Sequence, residues 1–173
     1  GTIFVNACDC FGPLDIRYDM DAVRRNAGEM SRRPDTFWKF RELMPVNEIY
    51  VDRNRQFTTL RKAERLGHEL GVELYLKLDS ETGATDSFKD RPVAMAFNCA
   101  VESGYDSVCV ASTGSLAVST AYYARNLGFA CHVIVPKRTG SIGKEAIRQF
   151  LKTDLIEFDG AYDAANARVD EII

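Results

Sequence analysis

The chain has 173 residues, enough for one ordinary domain, or one and a part. Lysine and arginine number 22 against 25 aspartates and glutamates, a net charge of −3, which excludes a general basic field for nucleic acid or an anionic membrane. Hydrophobic residues make 46% and charged residues 27%, a folding composition rather than a disordered one, and no apolar run approaches the roughly 20 residues of a membrane helix.

The first residues, Gly1-Thr2-Ile3-Phe4, lack a basic stretch followed by an apolar one, so no secretory signal is read there. The cysteines are Cys8, Cys10, Cys99, Cys109 and Cys131. Their number is odd, and the last three stand in apolar runs, where a free thiol behaves as a small hydrophobe. A reduced, cytoplasmic protein is expected rather than a disulfide framework.

In chain order, residues 1–57 read as an irregular extension. Cys8 to Ile16 suggests a turn into a short strand. Asp19 to Met30 predicts a helix capped by Asp19 or Asp21. Phe37 to Met44 has helical apolar spacing, with Pro45 just beyond it. Residues 58–173 are more regular. Leu60 to Gly67 looks helical, and Glu73 to Leu78 is a strand candidate. Ser87 to Ser103 predicts a helix with Val93, Ala96, Phe97, Ala100 and Val101 on one face. Asp106 to Ala111 reads as a buried strand, Ser112 to Ser115 as a turn, and Leu116 to Leu127 as a helix stopped by Gly128. Ala130 to Val135 predicts a strand, Lys144 to Lys152 a helix, Asp154 to Phe158 a strand and Ala161 to Ile173 a helix. Strands alternating with helices from residue 74 onward predict an α/β fold, a mostly parallel sheet covered on both faces with right-handed crossovers.

In such sheets ligands sit beyond the carboxyl ends of the strands. Two loops take that place, Asp79 to Pro92 and Ala111 to Ala117. Each follows a strand and opens a helix, whose unpaired N–H groups and positive dipole end attract carboxylates and phosphates. Lys89 lies at the start of its helix, where a cation opposes the dipole. A lysine there is more often a solvated side chain than a nucleophile. Its chemical reading is an amine that attacks an aldehyde to form a Schiff base.

Ser87-Phe88-Lys89-Asp90-Arg91 resembles the Schiff-base lysine motif of pyridoxal-phosphate enzymes of the tryptophan-synthase-β fold type, and most closely that of threonine synthases. Further segments resemble the same family in the same order: Phe57-Thr58-Thr59-Leu60 with Ala63 to Gly67, Leu76 to Asp79, and Ala111 to Gly114 with Leu116-Ala117. Cys10 to Asp19 resembles the N-terminal region of some threonine synthases. The likeness spans nearly the whole chain, and the collinear set is far more specific than any one piece.

The resemblance implies a three-layer, mostly parallel α/β sandwich of fold type II, incomplete in this chain. It implies pyridoxal phosphate as cofactor, held by Lys89, which then acts as general base and acid. Ser112, Thr113, Gly114 and Ser115 would bind the carboxylate of an amino-acid substrate through hydroxyls and backbone N–H groups. The implied reaction releases phosphate from O-phosphohomoserine and adds water to give threonine, with the cofactor as electron sink. No metal, nucleic acid or membrane partner is implied, and a homodimer is common in the family.

The departures bear on the cofactor loops. The family has Asn where Ser115 stands, and that Asn bonds the cofactor ring oxygen; a serine hydroxyl is shorter. The family's Asn-Pro-Thr before Ser-Phe-Lys is replaced by Thr82-Gly83-Ala84-Thr85-Asp86. Its Thr-Pro becomes Thr58-Thr59, losing a fixed backbone angle. These changes leave open a relative acting on a serine derivative, of cysteate synthase or dehydratase type, or a non-catalytic paralogue. The family's Gly-rich phosphate loop, which comes later in its chains, has no match in these residues.

Other motifs read as structural. Cys8-Asp9-Cys10 has no second ligand pair nearby for zinc, and His68 and His132 are isolated. Gly140 to Glu145 lacks the spacing of a P-loop, which leaves Lys144 as a surface side chain. Asp159 to Asp163 reads as a turn and helix cap, and Arg24-Arg25 and Arg32-Arg33 as solvated pairs.

Overall fold

The computed structural model describes residues 15–52, 58–81, 83–150 and 155–169. The expected turn and Cys-Asp-Cys stretch at 8–14, along with Phe57, Thr82, Lys152, Asp154 and residues 170–173, lie outside the described residues.

Helix α1, Met20–Arg32, starts where Asp19 Oδ1 accepts from Asp21 N at 3.0 Å and Ala22 N at 2.9 Å, satisfying two of the unpaired donors of a first turn. Phe37–Leu43 forms a tight 3₁₀ helix rather than an α-helix, broken at Phe40 where φ is −106° and ψ 39°. This segment docks on the rest of the chain. Trp38 and Val51 are buried in the main core. The Asn98 side chain, itself fully buried, accepts from Tyr50 N and Val51 N and donates to Val51 O.

The expected helix from Leu60 is a strand first. β1, Thr59–Lys62, pairs antiparallel with β2, Tyr75–Leu78, in the register Thr59↔Leu78 to Lys62↔Tyr75. Helix α2, Glu64–Leu70, begins only after Ala63, whose φ of −95° and ψ of 75° are not helical. The apolar spacing of Leu60 and Ala63 imitated a helical face, and the backbone ladder overrode it. Gly71, at φ 68°, closes α2 in the left-handed conformation that glycine adopts without steric cost.

Helix α3 is Asp90–Glu102, three residues shorter at its start than the apolar pattern implies. There follow β3 (Ser107–Ala111), α4 (Ser115–Leu127), β4 (Ala130–Pro136), α5 (Ser141–Arg148), β5 (Leu155–Phe158) and α6 (Tyr162–Val169). Strands β3, β4 and β5 form a parallel sheet in that order. The expected sheet is therefore divided: β2 belongs to the antiparallel ribbon, and the parallel sheet begins at β3.

β4 is central, and its composition shows it. Cys131, Val133 and Val135 enter the core shared with Phe97 of α3, Tyr123 of α4 and Ile147 of α5. Ile134, facing the other way, packs with Ala111 and Ala165 of α6. A strand buried on both faces must be apolar at successive positions. The result is three layers, with α4 and α5 on one face of the sheet and α6 on the other.

Candidate active site

Chain direction decides what this fold brings together. α3 leads into β3 through a short turn containing Gly104, at φ 78°, so α3 runs back along the sheet and its first turn lies towards the carboxyl end of β3. α4 leaves β3 at that same end. Asp90, the first residue of α3, is hydrogen-bonded to Ser119 in the second turn of α4, so the loop before α3, although it follows β2 of the ribbon, reaches the N-terminal part of α4.

Lys89 is the residue immediately before α3. Ser87 O accepts from Asp90 N at 3.0 Å and Phe88 O from Arg91 N at 3.3 Å, so the Ser-Phe-Lys string is a turn and not helix. Ser87 Oγ accepts from Lys89 N at 3.2 Å. Lys89 is half-buried, and its Nζ lies 4.6 Å from the centroid of the Phe88 ring, which the ring's quadrupole favours for a cation. Among the described residues its Nζ forms no ion pair with a carboxylate, although Asp86 and Asp90 flank it in sequence.

Asp90 is a functional candidate that sequence reading did not single out beyond its place in the motif. Its carboxylate is fully buried. It accepts from Thr85 N and Thr85 Oγ1, each at 2.7 Å, and from Ser119 Oγ of α4 at 2.6 Å. The only local signal is an acid in the first helical turn, common to many solvated helix starts. A second tether fixes the same turn, as Arg91 donates to Asp79 Oδ1 at 2.7 Å. Within the loop, Asp86 has φ 55°, a left-handed conformation that costs an L-residue energy.

Ser112 is buried and continues the sheet ladder, its N–H donating to Ile134 O at 3.3 Å. Its Oγ accepts from Gly114 N at 3.4 Å. Gly114 precedes α4, where no side chain caps the helix, and a Cβ built on it would meet nothing within 4 Å. The first helical bond runs from Val118 N to Gly114 O. The N–H groups of Ser115, Leu116 and Ala117 therefore have no acceptor within the helix. Ser115 is exposed and Thr113 half-buried. Thr113 lines a cleft of about 480 Å³ with Pro136, Arg138, Thr139, Gly140 and Gly143. Lys89 is not among the residues of that cleft.

The remaining candidates are absorbed into structure. Lys144 Nζ donates to Glu157 Oε2 at 2.6 Å and to Lys137 O, and this contact holds the Glu157 carboxyl below the usual carboxylate range. Asp159 pairs with Lys137. Arg24 pairs with Asp21, and Arg33 with Glu29 and Glu42. Burial pushes the Cys131 thiol up to about 12 and raises Cys99 and Cys109 as well, so these sulfurs pack as neutral hydrophobes. His68 is exposed on α2 and His132 half-buried on β4. Among the described residues no cluster of His, Cys, Asp and Glu could hold a metal ion, and no helix is long and apolar enough to cross a membrane.

Lys89 Nζ is thus an amine without a carboxylate partner among the described residues, of the kind an aldehyde group can bond, and α4 starts separately without a side-chain cap. Residues 51–173 match the family described as pyridoxal-phosphate dependent enzyme, and the chain belongs to that family. It is 31% identical to the threonine synthase of Methanocaldococcus jannaschii over 97% of this chain and 42% of that protein. To the threonine synthase of Methanosarcina acetivorans it is 30% identical, over 92% of this chain and 40% of that protein. The chain thus spans about two fifths of the length of these relatives. Among solved structures, threonine deaminase isoform 2 from Solanum lycopersicum in its processed form superposes with a TM-score of 0.59 at 23% identity, covering 89% of this chain and 40% of that one. A fungal L-serine ammonia-lyase from Rhizomucor miehei gives 0.59 at 24% identity, covering 70% and 39%. These likenesses show the fold, that of fold type II pyridoxal-phosphate enzymes, here a partial α/β domain.

Proposed function

We propose that this chain is the N-terminal part of a pyridoxal-phosphate lyase of the threonine-synthase kind, converting O-phosphohomoserine and water to threonine and phosphate. One observation carries the reading. The amine of Lys89, in the turn that leads into α3, and the uncapped start of α4 flank two helices tied together through Asp90 and Ser119, in a chain similar to threonine synthases over nearly its whole length.

When bound, pyridoxal phosphate supplies an aldehyde for a lysine and a ring that takes up electron density from the substrate. Lys89 Nζ holds the cofactor and afterwards carries protons to and from the substrate carbons. The N–H groups of Ser115, Leu116 and Ala117, with the hydroxyls of Ser112 and Thr113, bind and orient the substrate carboxylate at the positive end of α4. Ser115 Oγ donates towards the cofactor with a shorter reach than an asparagine. In this reading the substrate is a small amino acid, the enzyme is a cytoplasmic homodimer, and residues 1–57 are an extension on a catalytic unit that starts at residue 58.

The test is product analysis with the intact protein on O-phosphohomoserine, O-phosphoserine, serine and threonine. The reading predicts phosphate and threonine from O-phosphohomoserine with no ammonia. Ammonia released from serine or threonine, with O-phosphohomoserine untouched, contradicts it and assigns the chain to dehydratase chemistry.

A further inference from the structure

We infer that Asp90 is a positioning residue that holds the Lys89 loop and the start of α4 in one frame, an inference that rests on reading Lys89 as the cofactor amine. A fully buried carboxylate is costly unless its oxygens are hydrogen-bonded. Here the bonds go to two different segments. Oδ2 accepts from Thr85 N, and Oδ1 accepts from Thr85 Oγ1 and Ser119 Oγ, at 2.6 to 2.7 Å. Thr85 lies four residues before Lys89, and Ser119 lies one helical turn after Ser115, about 6 Å along the axis of α4. The loop is pressed onto the carboxylate, because a Cβ on Gly83 would stand 2.0 Å from Asp90 Oδ2. Asp90 is also the first residue of α3, where its charge complements the positive helix end.

One carboxylate therefore joins the segment that carries the amine to the segment that offers N–H groups to a carboxylate. Small misplacement between two such segments costs a large factor in rate. The two hydroxyl donors separate the arms: Thr85 serves the amine side and Ser119 the substrate side.

The experiment compares Thr85→Val, Ser119→Ala, Asp90→Ala and Asp90→Asn in the intact protein. It reads pyridoxal-phosphate retention, KM and kcat, and amide exchange of the 83–89 segment. Thr85→Val is expected to weaken cofactor retention about tenfold and speed exchange of that segment, with KM for the amino acid within about twofold. Ser119→Ala is expected to raise KM about tenfold with retention within about twofold. Asp90→Ala is expected to show both losses. Asp90→Asn, whose amide donates to both hydroxyls while its oxygen accepts from Thr85 N, is expected to restore most of each. Should Asp90→Ala fail to fold, the two single-hydroxyl variants decide the question. Equal effects of Thr85→Val and Ser119→Ala on retention and KM, or Asp90→Asn as impaired as Asp90→Ala, overturn the inference. Absence of pyridoxyl label on Lys89 in the unmutated protein is a different failure: it removes the functional reading itself.

Discussion

In the parallel sheet, Val133, Ile134 and Val135 of β4 have no exposed surface, covered by α4 and α5 on one side and α6 on the other. In the antiparallel ribbon, Leu60 of β1 is 66% exposed and Tyr75 and Leu76 of β2 are 52% and 39% exposed. The two regions draw on similar apolar residues and differ in what covers them. Parallel strands need crossovers, and their helices bury both faces; an antiparallel pair joined through one short helix brings no such cover with its own connection, in a chain that spans about two fifths of its relatives' length. The lysine loop runs from the second region into the first. Its far end is anchored in the packed core, but its near end leaves a ribbon with little buried area. The hydrogen bonds of Asp90 and the Arg91–Asp79 pair supply the fixing that the ribbon's packing does not.

That contrast is sharpened most by Ile134→Ala. Deleting a fully buried side chain between β4 and α6 should cost about 3 kcal/mol or more, seen as a fall in the denaturation midpoint at unchanged slope. The docked N-terminal segment should respond less. Arg33 donates to both oxygens of Glu42, at 2.5 and 2.7 Å, and this hydrogen bonding holds the Glu42 carboxyl below the usual carboxylate range. A carboxylate depressed in the folded state contributes stability that is present above its unfolded pKa, about 4.3. That contribution is lost as pH falls through the lower folded value. Glu42→Gln should cost about 1 kcal/mol at neutral pH and flatten the acid limb of the stability curve, followed by thermal melts from pH 7 downward.

Within the lysine loop, Asp86→Gly should gain about 0.5 kcal/mol by relieving the left-handed backbone at φ 55°, seen as a higher melting temperature. In the ribbon, Leu60→Ser should change stability by less than about 0.5 kcal/mol. A loss there as large as that of Ile134→Ala would break the distinction between the two regions.

Much of the parallel unit was legible because its signals are local. Gly128 stops α4 at φ 78°, where a residue with free left-handed geometry was read. β4 announces itself by consecutive apolar residues, and of the two caps read for α1, Asp19 and Asp21, it is Asp19 that caps the helix. The second strand of the ribbon was read as a strand, but the first was misread because Leu60 and Ala63 match a helical period, while the pairing that overrides it comes from Tyr75 to Leu78, 13 to 19 residues away. Phe37–Leu43 was legible as helical but not as 3₁₀. Lys89 and Ser112 to Ser115 were singled out through a motif resemblance alone, since nothing local separates a reactive lysine from a solvated one. The buried role of Asp90 was hidden because Ser119 lies 29 residues away; only the crossing of α3 beside α4 unites them.

The central claim, that Lys89 is the amine that holds pyridoxal phosphate, is tested by borohydride reduction of the intact protein with cofactor, followed by peptide mapping. The account predicts a single pyridoxyl group on Lys89, absent in Lys89→Arg. Label on another lysine, or no label after reconstitution, would contradict it.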